Sequence, residues 1–158
     1  MEQNEIEAII KEVAQEILEK IGFSGEVKVG KFGTSEEEKL VCDITSEESS
    51  FLIGQHGVNL ESLEHLLRVI VRKRTQEKVK FIVDVNGYRQ EKSESVIRLA
   101  REMAGEAVGE RRAVILRPMS PYERRLVHME LAENSLVETE SVGEGENRKI
   151  VIKPVGLL

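Results

Sequence analysis

The chain has 158 residues, of which 40% are hydrophobic and 33% are charged, so it can form one ordinary domain or two small domains with apolar cores. Its net charge of −6, from 23 basic and 29 acidic residues, excludes a surface that is basic throughout, and any nucleic-acid site must be local. The start does not resemble a signal peptide and no apolar run is long enough to span a bilayer, which predicts a cytoplasmic protein without membrane insertion.

The single cysteine and the three histidines do not form a metal-binding pattern. Cys42 falls on the apolar positions of a predicted strand, which predicts a core residue. His56, His65 and His128 lie far apart on different predicted elements. We therefore expect neither a metal site nor a cofactor.

The N-terminal part of the chain begins with one helix and two strands. Apolar residues repeat at helical spacing from Asn4 to Ile21, and Gly22 ends this helix. Apolar and polar residues alternate over 26–32 and 39–45, which predicts two strands. Thr45-Ser46-Glu47-Glu48 has the capping-box pattern, with Thr45 as the cap, and predicts a short helix directly after the second strand.

The tetrapeptide Gly54-Gln55-His56-Gly57, hereafter the glycine loop, joins that short helix to a long amphipathic one. Residues without a Cβ allow unusual backbone dihedrals and close approach of another molecule, and the free amides at the start of the second helix favour a phosphate. Two other Gly-x-x-Gly segments, 22–25 and 30–33, follow a helix and a strand and are interpreted as structural. A phosphate-binding loop and a plain interhelical turn both remain open at this point.

A third strand is predicted over 79–85, which completes the order α-β-β-α-α-β. With the glycine loop between its second and third helices, the segment 1–86 resembles a type II KH domain. The resemblance implies a groove beside the glycine loop that holds about four single-stranded nucleotides. It also implies weak affinity of this half alone, because many members carry a cation where Gln55 and His56 offer mainly hydrogen bonds.

The C-terminal part continues with a helix over 88–108 and a short strand over 113–116. Ser120-Pro121-Tyr122-Glu123 then predicts a helix start, with Ser120 as the cap and Pro121 at the first helical position. Strands over 136–142 and 148–153 follow.

Basic residues are concentrated around this last helix start. From residue 111 to residue 128 the chain has five arginines and one glutamate: Arg111, Arg112, Arg117, Glu123, Arg124 and Arg125. Arg124 and Arg125 oppose the helix dipole, at a cost of about 0.3 to 1 kcal/mol each, so removing Arg124 should leave stability unchanged or slightly raised. Arg124 and His128 are four residues apart, and we expect them on one exposed helix face. The alternative is a helix face that only contacts solvent. Because two cations at a helix start are unfavourable for folding, we favour a phosphate ligand as their explanation.

The Arg-x-x-x-His spacing within PMSPYERRLVH, in an α-β-α-β-β order, resembles the R-three-H domain over residues 88–154. Members of that family bind single-stranded nucleic acid around this Arg and His. The resemblance implies such contacts at Arg124 and His128, and the neighbouring Arg117 and Arg125 complete the predicted site.

The predicted fold class is α+β, with a type II KH domain at 1–86 followed directly by an R-three-H domain at 87–158. This arrangement resembles the Jag, or SpoIIIJ-associated, family of bacterial RNA-binding proteins. The resemblance implies an RNA-binding regulator or RNA chaperone linked to cell-envelope functions, with single-stranded RNA as partner and single-stranded DNA as the alternative. It leaves open a homodimer or pairing with another KH protein. Many members carry a further N-terminal domain, which has no counterpart before Met1.

Other functional classes have less support. The sequence lacks a Gly-x-x-x-x-Gly-Lys phosphate loop, a nucleophile elbow and a distinctive pair of carboxylates, so we expect no enzyme, with His56 as a general base the minor alternative. A protein-protein adaptor whose KH domain no longer binds nucleic acid is the stronger alternative, because the glycine loop lacks a cation. The arginine-rich segment 111–128 argues against it.

Overall fold

The computed structural model describes residues 1–156, which form two compact units. The first unit is Met1–Arg89 and the second begins at Gln90. Each unit combines helices with a three-stranded sheet and has its own hydrophobic core, so the predicted α+β class is confirmed.

The first unit has the predicted order of elements. Its central strand pairs antiparallel with the first strand and parallel with the third, giving the sheet order β1-β2-β3. A short 3-10 turn at Gln55–Gly57 separates the second and third helices. The elements are α1 (Gln3–Ile21), β1 (Glu26–Phe32), β2 (Lys39–Thr45), α2 (Ser49–Ile53), α3 (Val58–Thr75) and β3 (Ile82–Val85).

The core of the first unit lies between its helices and the sheet. Ile10 of α1, Leu67 of α3 and Val83 of β3 are completely buried, as the apolar periodicities require. Cys42 of β2 is buried with them, which confirms its predicted place in the core. Burial, reinforced by the charge of Asp43, raises the pKa of the Cys42 thiol to about 12.

The predicted capping box at Thr45 is wrong. Helix α2 begins at Ser49, and no side chain of the described residues caps its start. The Ser46 hydroxyl instead donates to the Ser24 carbonyl oxygen at 2.7 Å and accepts the Glu48 N–H at 3.1 Å. The serine thus bonds to a distant segment of the chain and does not cap α2.

Strand β3 begins three residues later than predicted, and side chains of α3 bind its backbone and that of the residue before it. Arg68 donates twice to the Phe81 carbonyl oxygen, from Nε at 2.9 Å and from Nη2 at 2.6 Å. Glu64 accepts the Val83 N–H at 2.9 Å. These bonds occupy backbone groups that an edge strand would otherwise offer to another chain.

The second unit also has the predicted order, α-β-α-β-β. Its sheet has the order β4-β6-β5, and both pairs of strands are antiparallel. A 3-10 turn at Gly145–Asn147 connects the last two strands. The elements are α4 (Tyr88–Glu110, whose first two residues belong to the first unit), β4 (Val114–Ile115), α5 (Pro121–Leu131), β5 (Val137–Val142) and β6 (Lys149–Pro154).

The strand register divides the polar residues of β5 between the two faces of this sheet. Thr139 is paired with Ile152, and Ser141 with Ile150. Both isoleucines are completely buried, so the two hydroxyl side chains lie on the same face of the sheet as this core. Because side chains alternate along a strand, the opposite face carries the acidic residues of β5. These are Glu138 and Glu140.

Candidate nucleic-acid interface

Helix α5 begins as the sequence predicts. The Ser120 hydroxyl accepts the Glu123 N–H at 3.3 Å, and the Glu123 carboxylate accepts the Ser120 N–H at 2.8 Å. Pro121 occupies the first helical position. This reciprocal cap fixes the start of α5 and, with it, the positions of Arg124 and His128, which are four residues apart on one face of the helix.

The carboxylate of Glu123 also binds two cations. Its Oε1 lies 3.3 Å from Lys92 Nζ and 3.4 Å from Arg117 Nη2. Burial opposes ionisation of this group, but the Ser120 N–H and the charges of Lys92 and Arg117 outweigh it and hold the pKa of Glu123 below its ordinary value. Of the predicted site residues, Arg117 is therefore already paired with an acid. Lys92 was missed, because only the folded chain brings α4 to this carboxylate.

Arg124 is partly buried, whereas the sequence predicted an exposed side chain. Its Nη1 donates to the backbone carbonyl oxygen of Met119 at 2.7 Å. Within residues 1–156 no carboxylate pairs with this guanidinium. The bond to a neutral oxygen therefore holds Arg124 in position without an acidic partner among the described residues, and its other N–H groups can donate to an anion.

His128 is also partly buried. Its Nδ1 lies 2.6 Å from the hydroxyl oxygen of Thr139 on β5. This contact occupies one ring nitrogen and orients the imidazole, so that Nε2 is the nitrogen available to a ligand. Thr139 was missed at the sequence level, although the alternation of hydroxyl and acidic residues along β5 was visible.

The remaining arginines of the segment 111–128 fall into two groups. Arg112 forms ion pairs with Glu106 and Glu110. Arg111 and Arg125 are exposed, and neither has an acidic partner among the described residues. Arg125 follows Arg124 on α5, so two uncompensated cations stand next to each other beside the partly buried His128.

The glycine loop lies between α2 and α3, as predicted, and three of its residues have left-handed backbone conformations. The φ angles are 71° at Gly54, 55° at His56 and 84° at Gly57. A Cβ at Gly54 would lie 2.6 Å from the side chain of Asn59, and a Cβ at Gly57 would lie 3.0 Å from that of Tyr88. Both glycines are thus required by the fold.

At the start of α3, next to the glycine loop, the N–H groups of Gly57 and Val58 donate to the carbonyl oxygens of Gly54 and Gln55. Gly57 is the N-cap residue, and none of the described side chains caps this helix start. Asn59, the second residue of α3, donates from its side chain to the Phe51 carbonyl oxygen at 2.8 Å and so ties α3 to α2. Gln55 and His56 are exposed. This geometry is compatible with a phosphate at the loop.

Exposed apolar side chains flank the glycine loop. Phe51 is 66% exposed and Val58 is 58% exposed. The ring of Phe51 stacks on that of Phe23, with 6.1 Å between the ring centroids. The exposed ring of Phe51 offers a surface on which a nucleobase can stack beside the glycine loop.

Residues 1–156 contain neither a candidate metal site nor a candidate membrane-spanning helix. No group of three or more potential ligands among these residues could hold a metal ion. None of the helices in this part of the chain is long and apolar enough to cross a membrane.

Comparison with known proteins gives a consistent result for both the domain and the family. The family model of the R-three-H domain matches residues 94–154. RNA-binding protein KhpB of Bacillus subtilis is 33% identical over 141 residues, which cover 87% of this chain and 65% of that protein. The predicted resemblance to the Jag family is therefore confirmed. RNA-binding protein KhpB of Clostridium symbiosum is 32% identical over 116 residues (73% of this chain, 52% of that protein). The protein of the same name from Lactiplantibacillus plantarum is 36% identical over 101 residues (64% and 31%).

The chain spans less than two thirds of the length of each of these three relatives. The R-three-H match lies within the second unit and includes Arg124 and His128. In the first unit, the order α-β-β-α-α-β with a mixed three-stranded sheet is consistent with the type II KH domain that the resemblance to the Jag family implies.

Proposed function

We propose that this chain binds single-stranded RNA and acts as an RNA-binding regulator, with its main electrostatic contact in the second unit. The proposal rests mainly on the hydrogen bonding and the charge of Arg124. Its guanidinium is fixed by a neutral carbonyl oxygen, lacks an acidic partner among the described residues, and stands one helical turn from an oriented His128. Such a pair suits the phosphodiester backbone, because a fixed and uncompensated cation attracts a phosphate without prior rearrangement.

Arg125 and Arg117 are proposed as supporting residues of the same site. Arg125 is exposed and contributes charge. Arg117 shares its charge with Glu123, so its contribution should be smaller than that of Arg124. The names of the relatives, each an RNA-binding protein, favour RNA over DNA as the partner. We assign this activity to the cytoplasm.

The glycine loop is proposed as the second point of contact. Gly54, Gln55, His56 and Gly57 would meet a phosphate through the backbone amides at the start of α3, with the exposed Phe51 available to a base. Because the loop lacks a cation, we expect it to contribute less to the salt dependence of binding than the second unit does. The proposed domains are the KH domain at 1–86 and the R-three-H domain at 87–158.

The test is a titration of the whole chain into a fluorescently labelled single-stranded RNA of mixed sequence, followed by anisotropy at several salt concentrations. We expect binding that weakens as salt rises, with a slope of about −0.7 per phosphate neutralised. A duplex and a single-stranded DNA of the same sequence serve as comparison ligands. Absence of binding at every salt concentration would support the adaptor alternative instead.

A further inference from the structure

Arg148 lies outside the arginine-rich segment but resembles Arg124, because its guanidinium also donates to neutral oxygens. It is partly buried at the end of the 3-10 turn before β6. Its Nε donates to the Ser141 hydroxyl oxygen at 2.8 Å and its Nη1 to the Gly143 carbonyl oxygen at 3.4 Å. Within residues 1–156 its guanidinium pairs with no carboxylate, although Glu144 and Glu146 lie close to it in sequence.

The hydrogen bonds of the second unit bring Arg148 to the same side as Arg124. Met119 is bonded to both arginines, since its N–H donates to the Arg148 carbonyl oxygen at 3.0 Å and its carbonyl oxygen accepts from the Arg124 guanidinium. The loop that fixes Arg124 therefore also fixes the backbone of Arg148.

Strand β5 links Arg148 to His128 in the same way. Thr139, which holds the His128 ring, and Ser141, which holds Arg148, are two residues apart on one face of β5. Two residues of a strand span about 6.6 Å, so the groups they hold are neighbours along the strand. The glutamates of β5 point to the opposite face, which leaves this side without acidic side chains from the strand.

We infer that Arg148 is a further nucleic-acid-binding residue, which contacts a phosphate of the strand held by Arg124 and His128. On β5, Ser141 positions Arg148 and Thr139 positions His128. The inference rests on the proposed function of the second unit. Arg148 has five N–H donors and uses two of them within the protein, so three remain, and two of these can bind a phosphate together. The ligand is a single strand, whose backbone would run along β5 from His128 towards the turn that carries Arg148.

The experiment measures affinity for the same labelled single-stranded RNA with Arg148→Ala, using Lys149→Ala as the matched control. Lys149 is the next residue and loses the same charge, but it precedes the buried Ile150 in β6 and so lies on the opposite face of the sheet. We expect Arg148→Ala to lower the magnitude of the salt slope by about 0.7, which is about a fivefold loss of affinity at about 0.1 M salt. Lys149→Ala should change affinity less than twofold.

Ser141→Ala tests the positioning role without removing a charge. It should weaken binding while leaving the salt slope unchanged, and Ser141→Thr, which keeps the hydroxyl, should restore affinity. Circular dichroism of each variant establishes that it is folded. If Arg148→Ala does not fold, Arg148→Lys is the second variant, because it keeps the charge but not the planar guanidinium. It should retain the salt slope and bind the RNA with reduced affinity.

The outcomes separate this inference from the proposed function. Equal effects of Arg148→Ala and Lys149→Ala, or an unchanged affinity in Arg148→Ala while Arg124→Ala weakens binding, would overturn the role of Arg148 alone. Failure of the unmodified chain to bind the RNA would overturn both. A loss of affinity and of slope specific to Arg148→Ala supports the assignment.

Discussion

Replacement of Arg124 by alanine tests the proposed interface most directly, because the structure gives opposite arguments for its effect on stability. The helix dipole alone predicts a gain of about 0.3 to 1 kcal/mol when a cation leaves the opening turns of α5. The bond from Arg124 to the Met119 carbonyl oxygen works in the other direction. A partly exposed hydrogen bond from a charged donor contributes about 1 to 2 kcal/mol, so the two effects together give a net loss of about 1 kcal/mol.

That loss is small enough to leave the protein folded. It corresponds to a fall in the melting temperature of about 4 to 8 °C for a unit of this size. RNA affinity should fall about fivefold at about 0.1 M salt, with a slope reduced in magnitude by about 0.7. The melting temperature and the RNA affinity are measured on the same preparation. Thermal unfolding is followed by circular dichroism, and affinity by anisotropy with the labelled RNA.

Lys153→Ala is the control, because Lys153 lies on the opposite face of β6 and is already paired with Glu140. It removes the same formal charge and should leave affinity within twofold of the unmodified chain. The interpretation of Arg124 as a phosphate ligand would be refuted if Arg124→Ala and Lys153→Ala gave equal affinities. A loss of stability of several kcal/mol without a separate loss of binding would make Arg124 a structural residue.

Three further predictions concern other parts of the molecule. Changing Gln55 and His56 together to Asp places two acids at the glycine loop, and anisotropy should detect weaker RNA binding in a folded protein; unchanged affinity at low salt would remove the loop from the interface. Glu123→Gln should lower the free energy of unfolding by about 1 to 3 kcal/mol at neutral pH, because the ion pairs of Lys92 and Arg117 lose their acid. Since the pKa of Glu123 is lowered by folding, its contribution is present above the pKa of the unfolded chain and lost as pH falls through the folded value, so denaturant titrations should converge for the two proteins in acid. Cys42, with a pKa of about 12, should resist a thiol reagent at about pH 8 and react when the chain is unfolded by denaturant; rapid reaction of the native protein would contradict its place in the core.

The sequence determined the helices and strands, and also those details of the backbone that depend only on residues close together in the chain. Apolar periodicity predicted the helices and strands of both units, and the reciprocal cap of Ser120 and Glu123 follows from residues three apart. The left-handed dihedrals at Gly54 and Gly57 likewise depend on the absence of a side chain. Such features need only neighbouring residues, which are adjacent before the chain folds.

Only the tertiary structure decided which charged groups are compensated. The arginines of segment 111–128 are alike in sequence, yet Arg117 reaches the carboxylate of Glu123 and Arg124 reaches a carbonyl oxygen. The same dependence explains why the cap predicted at Thr45 failed, since Ser46 bonds to the distant Ser24. Hydrogen bonds and ion pairs act over a few ångströms, so the partner of a side chain is determined by which residues the folded chain brings within that distance.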